Sequence, residues 1–91
     1  MRDIRSTLRD SNRIGVQFLF TDLDVAVTFL DVASTSRNLE VRRRNWSNAR
    51  AAHDAVLHML QWLTPTEAEL QSIHEKLSEL RSRLQVVGHV F

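Results

Sequence analysis

The chain has no cysteine, one proline and two glycines among its 91 residues. Lys76 is its single lysine. Each scarcity excludes something. Without cysteine there is no disulfide, no thiol chemistry and no thiolate metal site, which suits a reducing cytosol. So little glycine and proline leaves little material for hairpins and long loops, while Ala, Leu, Arg, Glu and Gln dominate. That composition argues for an all-α protein. A secretory pattern is lacking too. Residues 1–13, MRDIRSTLRDSNR, are charged throughout, and the apolar run behind them carries Asp22, Asp24 and Asp31. Each aspartate would be costly at bilayer depth, so a cytoplasmic protein without a membrane partner is expected.

The apolar fraction of 43% and charged fraction of 25% are those of a globular chain rather than a disordered one. The length gives one domain, 1–91, able to fold alone around a modest core. The net charge of +1 hides an uneven distribution. Residues 1–13 carry four Arg against two Asp, and residues 37–50 carry five Arg against one Glu. Residues 14–36 hold three Asp and no base. The excess of arginine over lysine has a bland reading, a GC-rich genome, and a functional one, a surface chosen for phosphate or carboxylate recognition.

The most apolar stretch is VQFLFTDLDVAVTFLDVA, Val16 to Ala33. Its polar residues Gln17, Thr21, Asp24, Thr28, Asp31 and Thr35 fall at alternating spacings of four and three, one narrow stripe of a helix. The rest of its circumference is apolar, so it must be covered on two or more sides. Asp22 alone breaks the pattern, between Phe18, Phe29 and Ala26. This first helix is expected over about 11–34, capped at Asp10 or Ser11 and weakened by Gly15. Asn38 is a plausible N-cap for a second helix over 39–63, with Glu40 in its first turn. Its buried stripe reads Leu39, Arg42, Trp46, Ala49, His53, Val56, Leu60, Leu63, with Ala51, Ala52 and Ala55 flanking it for close approach. Thr64-Pro65-Thr66-Glu67 reads as a capping box opening a third helix over 65–87, with Gly88 placed to end it. His89, Val90 and Phe91 then fold back or fray. The result expected is an antiparallel up-down-up three-helix bundle. Three helices cover only part of so apolar a first helix, and Phe20, Val27, Met59 and Trp62 are the candidate interaction surface.

The segment NWSNARAAHDAVL, 45–57, with small residues at Ala49, Ala52 and Ala55 and a proline after the helix, faintly resembles a tetratricopeptide helical hairpin. The KLSELRSRL end, 76–84, resembles the third helix of microtubule-interacting-and-transport domains, which are three-helix bundles of similar length. The whole chain is similar to small uncharacterised helical proteins of bacteria. These resemblances imply binding of a helix or peptide in a groove between helices, and carry over no functional residue.

Asp22, Arg42 and His53 are the polar residues on otherwise apolar stripes. An unpaired buried carboxylate is very costly, and a hairpin pivoting near residue 36 brings Asp22 level with residue 50. Asp22 is therefore expected to meet Arg50 or His53, with Arg42 nearer Asp31. Such a contact fixes helix register; the functional alternative is an acid–base pair with the histidine tuned by the carboxylate. No nucleophile or glycine-rich loop accompanies it, and the structural reading is preferred. His53 and His58 diverge by about 140° on a helix, and no His-x3-His or Glu-x-x-His spacing exists, so no metal or other cofactor is expected. Arg37, Arg42, Arg43, Arg44 and Arg50 beside Trp46 form a candidate basic patch for nucleic acid. Consecutive arginines diverge by about 100° each on a helix, which disfavours that use. The expectation is a non-enzymatic bundle working through protein–protein contact, by self-association as a homodimer or by docking a partner helix, with no small-molecule substrate. A nucleic-acid-associated module is the alternative.

Overall fold

The computed structural model describes residues 4–91. Three helices, α1 (Ile4–Thr35), α2 (Leu39–Leu60) and α3 (Glu67–Val86), form an all-α antiparallel bundle. The core is one stripe from each. Leu19, Leu23, Ala26 and Leu30 of α1 meet Ala49 and Val56 of α2 and Ile73, Leu77, Leu80 and Leu84 of α3, with none more than a few per cent exposed. These spacings of three and four are the amphipathic period read from the sequence. Close approach comes at Ala26, Ala33 and Ala49, all fully buried. Ala52 is half-buried, whereas Ala51 and Ala55 face outward and play no part in it.

α1 begins well before the expected Asp10 or Ser11 cap and passes through Gly15 as helix. A Cβ on Gly15 would come 2.5 Å from a methyl of Leu63, so the glycine admits that leucine against the helix backbone. Local helix propensity is sacrificed there for packing. The polar stripe lies where expected, and its threonines stay helical by satisfying themselves. Thr21 donates to the Gln17 carbonyl at 3.2 Å and Thr28 to the Asp24 carbonyl at 3.0 Å.

Asn38 caps α2, its side-chain oxygen accepting from the amides of Glu40 and Val41 at 2.9 and 3.1 Å. α2 ends at Leu60, three residues earlier than expected, and α3 starts two later. TPTEAE contains two overlapping capping-box patterns, and the second forms. Thr66 is the N-cap, with Glu69 Oε1 accepting from the Thr66 amide and Thr66 Oγ1 from the Glu69 amide. Backbone hydrogen bonding from Thr66, opposed by some burial, holds the Glu69 carboxyl below its ordinary pKa, with Arg13 adding to the lowering.

Thr64 is engaged elsewhere. Asn12 Oδ1 accepts from its amide at 2.7 Å and from its hydroxyl at 3.1 Å, while Asn12 Nδ2 donates to its carbonyl at 3.1 Å. This clasp joins α1 to the α2–α3 connection. α1 continues for two turns beyond it, and the molecule is 55 Å long. Gly88, at φ +100°, turns the chain back after α3, and His89 donates to the Leu84 carbonyl at 3.0 Å.

Candidate interaction surface

The turn at Gly88 aims the C-terminal residues at α2. Arg50 Nε lies 3.1 and 3.2 Å from the two Asp54 oxygens, one turn along the helix. Its Nη1 donates to the Val90 carbonyl at 2.8 Å. The Arg50 guanidinium carbon stands 3.9 Å from the centre of the Phe91 ring, with Arg81 at 5.3 Å. Phe91 in turn meets the His53 ring edge to face at 4.9 Å.

His53 is completely buried, and its Nδ1 is 2.9 Å from Asp54 Oδ1. In the neutral ring that contact places the proton on Nδ1. Nε2 then carries a lone pair with no partner. Burial pushes the Asp54 carboxyl up, but hydrogen bonds and charge from His53 and Arg50 outweigh it and hold the pKa below its ordinary value. The cluster fastens the tail and fixes α2.

The carboxylate that joins Arg50 and His53 is thus Asp54, not Asp22. Asp22 lies on the half-exposed edge of α1, one residue from Leu23, and makes no hydrogen bond or ion pair among the described residues. A step of about 100° from Leu23 turns Asp22 off the core face. Arg50, meanwhile, has a carboxylate within its own helix. Asp31 likewise pairs with Arg83 of α3 at 3.1 Å rather than with Arg42. Arg42 stacks over Trp46 at 5.2 Å.

The five arginines of the basic segment divide. Arg50 is committed to Asp54 and the tail, and Arg42 is half-buried against Trp46. Arg44 lies 3.8 Å from Glu40, both exposed, and Arg37 and Arg43 point to solvent. They do not form a single face.

The expected apolar surface is also redistributed. Phe20, Val27 and Met59 are half-buried against the core and offer little to a partner. Trp62 is 76% exposed in the α2–α3 connection, as expected. The larger exposed surface runs along a second flank of α1. Ile4, Phe18, Val25 and Val32 repeat at multiples of seven, with Leu8 and Ile14 beside them. Ile4 is 76% exposed, Leu8 64%, Phe18 55% and Val32 43%. The signal was in the sequence, in the heptad 4-11-18-25-32, whose second place is taken by Ser11. Burial expected for a two-sided apolar helix concealed it.

Among the described residues no helix is long and apolar enough to cross a membrane, and no three His, Asp or Glu side chains gather as a metal site. No family model, curated protein or solved structure shows significant similarity to the chain.

Proposed function

We propose that this protein is a non-catalytic helical module that works through protein–protein contact, docking a helix along the uncovered flank of α1. The observation that supports it is the row of exposed apolar side chains Ile14, Phe18, Val25 and Val32, with Ile4 beyond a break at Ser11, beside a fully formed core. Single exposed apolar residues are ordinary, whereas a row of them along one helix face is the usual form of a helix-docking surface. The two turns of α1 beyond the Asn12–Thr64 clasp strengthen the reading. Isolated helical turns are marginal in water, and a partner lying on Ile4 and Leu8 would hold them.

The test is Phe18→Glu. Phe18 lies in the middle of the row and outside the core, so the variant keeps its circular dichroism and its urea midpoint. The wild-type protein is expected to retain a partner, from host extract or as a second copy, that Phe18→Glu loses. If wild type and variant behave alike in both capture and hydrodynamic measurements, this flank is not the working surface.

A further inference from the structure

We infer that the seam between α2 and α3 is a peptide-binding groove plugged by the chain's own tail, and that its partner is an extended segment presenting an aromatic residue in the place of Phe91. The groove belongs to α2 and α3 and is independent of the α1 flank.

Three observations carry it. The first is how the tail is held. Residues 89–91 are not helical, and Arg50 grips them at two points. Its Nη1 donates to the Val90 carbonyl at 2.8 Å, and its guanidinium carbon stands 3.9 Å from the centre of the Phe91 ring. His53 meets the same ring edge to face. A backbone carbonyl and the aromatic side chain after it are thus bound together, while the Val90 side chain is left largely exposed. A helix uses most of its carbonyls internally, so this grip selects an extended segment.

The second is how loosely the plug sits. Phe91 is exposed over 42% of its surface, and a Cβ on Gly88 would meet nothing within 4 Å, so the hinge is free of packing. His53, against the Phe91 ring, keeps a buried Nε2 without a hydrogen-bond partner, which disfavours the closed tail. An occupant that brings a donor there removes that cost.

The third is unfilled length. Trp46, Arg50, His53 and Leu57 follow one another at spacings of four, three and four along one face of α2. Residues 89–91 fill only the middle of this face. Towards one end lies a hollow lined by Trp46 and Val87, and towards the other a hollow lined by Leu57 and Leu70, both partly exposed. From His53 to Leu57 is about 6 Å along the helix, which two extended residues span. A segment continuing two places past the aromatic residue therefore reaches the second hollow. Tail and partner compete for one site. A half-buried ring under one guanidinium holds the tail closed about tenfold, and the partner binds more weakly by that factor.

The test is an NMR titration with two acetylated, amidated peptides. One is GHVF, the sequence of residues 88–91, and the other is GHVFAL, with a leucine two places after the phenylalanine. Phe91→Ala protein is expected to show shifts at Arg50, His53 and Arg81 at peptide concentrations about tenfold lower than wild type needs. The peptide GHVA should move none of them. GHVFAL should bind about threefold or more tighter than GHVF, a gain that Leu57→Asp removes. Leu57 and Arg50 lie outside the core, so their variants should keep the circular dichroism of wild type. Absence of binding to Phe91→Ala, equal titration of wild type and Phe91→Ala, binding that survives Arg50→Met, or GHVFAL no tighter than GHVF would each overturn the proposal. Phe18→Glu should leave every titration as it was, which separates this outcome from that of the α1 flank.

Discussion

The tail cluster gives a stability effect that can be worked from its contacts. Consider Phe91→Ala. Phe91 is 42% exposed, so a little over half of the side chain is covered. Full burial of a phenylalanine contributes up to about 3 kcal/mol, and this fraction corresponds to about 1.5 kcal/mol. The Arg50 guanidinium over the ring adds about 0.5 kcal/mol at a partly exposed site. Two effects oppose the loss. A freed tail regains conformational entropy, and His53 Nε2, now without a partner, gains access to water. The net expectation is about 1.5 kcal/mol of destabilisation.

With a urea m-value of about 1 kcal/mol/M for a chain of this size, the midpoint should fall by about 1.5 M with m unchanged. Val90→Ala is the control, because Val90 contributes its carbonyl while its side chain is largely exposed; its midpoint should move by less than about 0.5 M. A double-mutant cycle of Phe91→Ala with Arg50→Met should return a coupling of about 0.5–1 kcal/mol. A Phe91→Ala midpoint within about 0.3 M of wild type would show that the tail does not cover His53 in solution, and would refute the reasoning.

Asp22→Ala should change monomer stability by no more than about 0.5 kcal/mol, since no partner is left uncompensated; a loss near 3 kcal/mol in urea unfolding would mean a buried ion pair after all. Asn12→Ala removes three hydrogen bonds to Thr64 and should cost about 1–2 kcal/mol. Its amide-exchange signature should be faster exchange of α1 residues before the clasp, with the Leu19–Leu30 core protected as before. The Asp54 pKa is depressed in the folded state, so its contribution is present above the unfolded value and lost as pH falls through the folded one. The urea midpoint should therefore hold from neutral pH to about pH 5 and drop below about pH 4. Asp54→Asn should flatten part of that drop, the Glu69 capping box retaining the rest; an unchanged acid slope in the variant would show that the Arg50–Asp54–His53 contacts carry no linkage.

What the sequence made legible was decided by periodicity and local chemistry. The spacing of Leu19, Leu23, Ala26 and Leu30, the Asn38 cap and the turn at Gly88 are each set by residues within a few positions of one another. The misplacements came where distant segments compete for one group. Thr64 reads as a cap until Asn12, far earlier in the chain, takes its amide and hydroxyl. Asp22 reads as buried because its neighbours are apolar, yet Ile14, Phe18, Val25 and Val32 of the same helix are exposed and not core. Arg50 and His53, the alternative partners expected for Asp22, both meet the adjacent Asp54 instead. Its place on a nominally polar face concealed it. Nothing local to α2 announced that Phe91 would close over that face.

α1 departs from a simple bundle helix because its two apolar flanks follow different rules. The core flank, from Val16 to Ala33, is met by two helices that end near the Asn12–Thr64 clasp. The outer flank starts twelve residues earlier, at Ile4, and continues to Val32 without a covering element. A helix needing only to close this core has no use for Ile4 and Leu8 beyond that clasp. Ile4 lies at a multiple of seven residues from Phe18, Val25 and Val32 and prolongs the outer row, whereas Leu8, one turn before Asn12, prolongs the core stripe past the clasp.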